Sequence, residues 1–103
     1  NHMNDSKGYI IENYEVINEQ DYIPPVKVIN EILEKFSGKF IVATPKPEIL
    51  SGNPSRVIVV MEFETEDKAK EFYDAPDYSD YKKLHERTTK GWILYSKEYH
   101  KKQ

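Results

Sequence analysis

Apolar and polar positions divide the chain into alternating strand and helix segments. Residues 8–17, Gly-Tyr-Ile-Ile-Glu-Asn-Tyr-Glu-Val-Ile, are rich in β-branched and aromatic side chains and lack proline, which predicts a first strand. Asn18 follows, a side chain able to cap a helical turn, with Asp21 three residues on like the acid of a capping box. Tyr22, Val26, Ile29, Leu33 and Phe36 then recur at spacings of three and four, the apolar stripe of a helix. Pro24-Pro25 interrupts that stripe, because proline lacks the N–H of an interior turn and disfavours α geometry in the residue before it. The pattern predicts either a short turn over 18–22 and a main helix from Pro25, or one kinked helix. Gly38 stands just past the stripe, where the left-handed C′ position favours glycine.

Residues 39–44 read as a second strand. Pro45, Pro47 and Ser51-Gly-Asn-Pro54 mark a long irregular connection. Residues 56–63, Arg-Val-Ile-Val-Val-Met-Glu-Phe, form the clearest strand pattern in the chain. Thr65 is placed to cap the next helix, with Glu66 and Asp67 near its positive end and Ala69, Phe72 and Tyr73 on its apolar face. Pro76 is expected to end it. A further helix over 79–89 carries Tyr81, Leu84 and Thr88 at helical spacing; Gly91 is expected to break it, and 92–99 reads as the last strand. The tail from His100 is polar and expected to fray. The order β-α-β-β-α-(α)-β is that of an α+β, ferredoxin-like βαββαβ domain with a four-stranded antiparallel sheet. The expected division is a tail over 1–7, one domain over 8–99 and a tail over 100–103.

Side chains alternate across a strand, so Val57, Val59, Met61 and Phe63 share one sheet face and Arg56, Ile58, Val60 and Glu62 the other. Both faces are apolar in their middles, as they are around Trp92, Ile93, Leu94 and Tyr95. An antiparallel sheet with one wet face shows clean alternation instead. The second face therefore calls for a cover, and a second copy of this short chain is the expected one, a homodimer. Trp92, beside Ile93 and Leu94, is expected to be shielded from solvent.

The chain has 103 residues, enough for one domain that buries roughly 65% of its unfolded surface. Hydrophobic residues at 38% and aromatics at 13% are too many for a disordered chain. The net charge of -3 argues against nucleic acid as partner, which needs a basic footprint. The absence of cysteine excludes disulfides and thiol catalysis. No apolar run approaches the roughly 20 residues of a membrane span. A cytoplasmic protein is the expectation. Asn1-His2 resembles an expression remnant ahead of a native Met3 and is left out of the chemistry.

Ser37-Gly38-Lys39-Phe40, Glu48-Ile-Leu-Ser-Gly52, Arg56 with Val59-Val60-Met61-Glu62-Phe63, Phe72-Tyr73-Asp74-Ala75-Pro76-Asp77-Tyr78 and the later Arg87 follow a family order. Together they resemble the DUF1330 family of small bacterial proteins, from Tyr9 to Tyr99. The resemblance implies a dimeric α/β barrel, two ferredoxin-like sheets packed face to face, and no assigned reaction. Related barrels include cofactor-free monooxygenases, haem-degrading enzymes and lactone isomerases, an analogy of fold alone.

Candidate chemistry rests on a few side chains. Glu62, among apolar neighbours, suits a general base, with Arg56 an anion anchor; the plainer reading is an ion pair or hydrogen bond at an interface rim. His85 suits proton transfer near neutral pH, or is a surface helix histidine. Arg87 offers a bidentate anion contact, or pairs with an acid. Tyr73 and Tyr78 flank the turn at 74–77; Tyr78 is expected at a pocket mouth and Tyr73 in packing or ligand stacking. Glu62, Arg87 and Tyr78 are expected to border one cavity. No phosphate loop, zinc spacing or nucleophile elbow occurs, so neither metal nor cofactor is expected. Two functions remain open: a cofactor-free enzyme acting on a small organic acid or aromatic, with Glu62, His85 and Tyr78 as proton donors or acceptors, or a non-catalytic ligand-binding or structural homodimer.

Overall fold

A computed structural model describes residues 6–101. Four strands form one antiparallel sheet: β1 (Gly8–Val16), β2 (Gly38–Thr44), β3 (Val57–Phe63) and β4 (Thr89–Lys97), in the spatial order β2-β3-β1-β4. Helical segments α1 (Pro25–Val28) and α2 (Asn30–Lys35) join β1 to β2, and α3 (Glu66–Asp74) and α4 (Pro76–Thr88) join β3 to β4. This is the ferredoxin-like α+β arrangement the sequence pattern predicts. Asn1, His2 and Met3 lie outside the described residues, and among those described no helix is long and apolar enough to cross a membrane.

Local chemistry sets the boundaries. The turn after β1 forms as expected, with the Asp21 N–H donating to the Asn18 side chain at 3.2 Å. Pro25 then occupies the first helical turn, where its missing N–H has no intrahelical role. Ile29, at φ -110° and ψ 9°, separates α1 from α2, so the expected main helix is two short ones. Thr65 caps α3 by accepting the Lys68 N–H at 3.1 Å. Pro76 opens α4 instead of merely ending α3, which draws Tyr78 into the helix. Gly91 does not break α4: the helix passes straight into β4 at Thr89, and Gly91 lies within the strand. A Cβ there would run into the Asn13 carbonyl oxygen across the ladder. Ser37, at φ 58°, takes the left-handed turn expected of Gly38. Gly38 opens β2 instead, because a side chain there would overlap the Phe63 ring.

The core lies between the sheet and the helices. Ile10 and Tyr14 of β1 and Val57, Val59, Met61 and Phe63 of β3 pack against Ile29, Leu33, Phe72, Tyr78 and Tyr81. Rings run through it almost without a gap, from Phe36 through Phe72, Tyr78 and Tyr81 to His85, then Tyr14 and Tyr22. Val26, placed on the apolar stripe by its spacing, is exposed.

The other sheet face carries Ile11, Ile58 and Val60, half-buried, with Val42, Trp92 and Leu94 exposed around them. Trp92 is 46% exposed in the single chain, because its side chain alternates onto the face that no helix covers, so the shielding expected of it requires a cover on that face. The slab measures 46 × 36 × 16 Å. Tail residue His100 is not loose: its Nε2 lies 2.6 Å from the Ser6 hydroxyl, beside the Glu98 N–H to Lys7 carbonyl bond of 2.9 Å.

Candidate functional site

A buried acid stands at the centre of the helix-covered face. Glu12 follows Ile10 by two in β1, so the alternation that buries Ile10 buries Glu12 as well, to 1% exposure. His85 meets it from α4, one turn beyond Tyr81, and is 5% exposed. Glu12 Oε1 and His85 Nε2 lie 3.5 Å apart, and neither has another partner. The hydrogen bonds fix the tautomer. The Thr89 hydroxyl donates to the His85 carbonyl at 2.6 Å, so its lone pair accepts the Nδ1 proton at 3.2 Å. Nε2 is then a bare acceptor facing Glu12. A carboxylate there would set lone pair against lone pair, and 3.5 Å is too long for a charge-assisted imidazolium–carboxylate bond, which runs about 2.7–2.9 Å. The proton belongs to Glu12. Burial acts in the same direction, raising the Glu12 carboxyl to about 7 and lowering the His85 imidazole to about 4.

Next to this pair is a cleft of about 290 Å³ between the sheet and α1. Tyr14 and Val16 of β1 and Val57 and Val59 of β3 form its floor, and Pro24, Pro25 and Val26 its helical wall. The Pro24-Pro25 pair, which breaks the helical pattern, thus supplies rigid apolar surface. Tyr14 and Tyr22 share a hydrogen bond of 2.8 Å between their hydroxyls, an acceptor and donor set into an otherwise apolar cavity. Burial is the main cause that raises the pKa of both phenols, so both stay protonated. Arg56 and Lys27 stand at the mouth with Glu19. Arg56 Nη1 reaches Glu19 at 3.9 Å, a loose contact for a guanidinium with five N–H donors. The volume matches the lower end of ligand sites, about 300 Å³. A smaller cleft of about 240 Å³ lies between α3 and β4, lined by Ile10, Tyr73, Ile93 and Tyr95 among others.

The residues singled out from sequence do not converge. Glu62 lies on the uncovered sheet face, where it accepts the Tyr9 hydroxyl at 3.0 Å and draws Lys7 and Lys39 to 3.7 and 3.9 Å. Arg56 precedes the other end of β3, so these two do not pair. Arg87 is exposed and ties α4 to the turn after β1 through Asp21 at 3.1 Å. Tyr78 is 1% exposed and packs on Phe72 with ring centres 4.5 Å apart; the cavity mouth expected of it is a place in the core. Tyr73 lines the smaller cleft under the Lys82 ammonium, 3.9 Å from its ring centre. No cavity among the described residues brings Glu62, Arg87 and Tyr78 together. Arg56 borders the cleft beneath α1, and His85 is buried instead of lying on the helix surface. Glu12, Tyr14 and Tyr22 were missed. Their signal was present: a lone acid between Ile10 and Tyr14 on one strand face cannot reach water.

Comparison with known proteins agrees with this fold. Two crystal structures of RPA0582, a protein of unknown function from Rhodopseudomonas palustris, superpose with TM-scores of 0.70 and, for its methylated form, 0.71. They share 11% and 10% identity, over 93% and 96% of this chain and 85% of theirs in both cases. No curated protein matches. The family model for the domain of unknown function DUF1330 matches residues 7–98, a span that contains every described strand and helix, and the chain belongs to that family.

Proposed function

We propose that the chain works as a homodimer whose subunits each bind a small organic acid or aromatic molecule in the cleft between sheet and α1. The observation that carries this reading is the Tyr14–Tyr22 hydroxyl pair, held in an apolar cavity with Arg56 at its mouth. Apolar walls take the body of a ligand, and the few fixed polar groups orient it. The scatter of Glu62, Arg56 and Arg87 favours binding over turnover. Pairing of two chains is supported by the uncovered face: Ile11, Ile58, Val60, Trp92 and Leu94 lie together where a single helical layer leaves the sheet bare. Thermal unfolding with benzoate as probe tests the cleft. Benzoate raises the midpoint of the native chain, and Ala43→Trp, which fills the cleft from an exposed position of β2, removes that rise. A midpoint indifferent to benzoate and to its neutral and phenolic analogues contradicts the reading.

A second reading, cofactor-free proton transfer, has one observation in its favour. Glu12 and His85 are a carboxyl and an imidazole whose surroundings push their proton affinities apart, as acid–base pairs in active sites do. Chemical change of a bound aromatic acid, lost in Glu12→Gln, would support it; an unchanged ligand recovered from the native protein would leave binding alone.

A further inference from the structure

We infer that an anionic ligand enters the cleft beneath α1 together with a proton taken up by the buried Glu12 carboxyl, so that the Glu12–His85 pair regulates what the cleft holds. This rests on the cleft reading above and adds its regulation.

Glu12 and Tyr14 are alternate residues of β1 and face the same way, about 7 Å apart along the strand. Tyr14 belongs to both places. Its ring meets His85 edge-on at 4.5 Å, and its hydroxyl bonds Tyr22 in the cleft wall. After burial and their mutual bond, the Glu12 charge is among the causes acting on both phenols, so its field reaches the cleft.

Among the described residues, the surroundings of Glu12 hold no counter-charge. From α4 it faces His85, Tyr78 and Tyr81; from α3, Tyr73; from β1 and the turn after it, Tyr14 and Tyr22. Its cross-strand neighbours are Val59 of β3 and Ile93 of β4. The phenols are neutral and so is the imidazole. An ionised Glu12 therefore sends its field through a packed aromatic core that screens it weakly. A carboxylate in the cleft adds a second negative charge within that field, and two like charges in low dielectric do not both ionise readily. The ligand keeps its charge because Arg56 and Lys27 stand at the mouth. Glu12 takes the proton. Linkage is reciprocal, so anion affinity falls as Glu12 ionises, in the region of its pKa of about 7. A neutral ligand of the same shape feels neither effect.

Calorimetric titration of the native chain with benzoate, in buffers of different ionisation heat, reads the proton directly. At about pH 7 roughly half a proton enters per benzoate, and affinity falls about threefold or more from about pH 6 to about pH 8. Benzamide shows neither, and Glu12→Gln abolishes both for benzoate. The native chain alone suffices should that variant unfold. Benzoate that binds with no buffer dependence and flat affinity overturns the linkage and leaves the cleft reading standing. Failure of both benzoate and benzamide to bind overturns the two together.

Discussion

Glu12 and His85 hold one proton between them, and its position sets how the folded chain answers to pH. The Glu12 carboxyl is raised on folding, so its contribution is fully present below its unfolded value and is lost as pH rises to about 7. The His85 imidazole is lowered on folding, so its contribution is present above its unfolded value and is lost as pH falls through about 4. Between these limits the two trends oppose each other, because folding moves a proton from histidine to glutamate with little net uptake. The expected result is that the native chain loses stability relative to Glu12→Gln steadily from about pH 4.5 to about pH 7, measured by urea unfolding. A difference constant over that range would show that Glu12 is not the protonated partner. Glu62 is placed differently: its carboxylate accepts the Tyr9 hydroxyl and lies near the Lys7 and Lys39 ammonium groups.

Among the elements, β1 carries most of the design, since it pairs with β3 on one side and β4 on the other and brings Glu12 and Tyr14 to the core. Asn13, on its opposite face, fixes the end of the long connection by donating to the Ser55 and Val57 carbonyls at 2.9 and 2.8 Å and accepting the Ser55 N–H at 3.0 Å. Asn13→Ala leaves those groups without partners and is expected to cost about 1–3 kcal/mol in denaturant unfolding, with the same m-value. Gly91→Ala, which forces β4 away from β1, is expected to cost about 2 kcal/mol or more. The strands and the capped helix α3 were legible because period-two alternation and a Thr cap are local signals. The start of α4 was not: Pro76 reads equally as a stop and as a first helical residue, and reading it as a stop sent Tyr78 to a turn instead of the core. His85 lies one turn beyond Tyr81 and two beyond Tyr78, a stripe visible once the helix starts at Pro76. The cleft was hidden for another reason, since it joins residues from three separated stretches of chain, 14–27, 43–45 and 56–59, and no local period records that meeting.

For the whole molecule, the bare sheet face and the cleft lie on opposite sides of one sheet, so the proposed pairing of chains would leave each cleft open. Light scattering is expected to give twice the chain mass, and Val60→Asp, which sets an unpaired charge on the face proposed to pair, to give a monomer or an unfolded chain. Trp92 reports the same event: its emission is expected to shift to longer wavelength as the native protein is diluted and to stay fixed if the chain is a monomer throughout. Leu50, 93% exposed at the tip of the connection over 45–56, adds apolar surface beyond the sheet. The cleft beneath α1 is proposed to take a small organic acid. Amide spectra of isotope-labelled native protein titrated with benzoate test it most directly. Shifts are expected to gather at Tyr14, Val16, Tyr22, Val57 and Val59 while Glu62 and Arg87 stay still. Shifts confined to α3 and β4, or none at saturating benzoate, would contradict it.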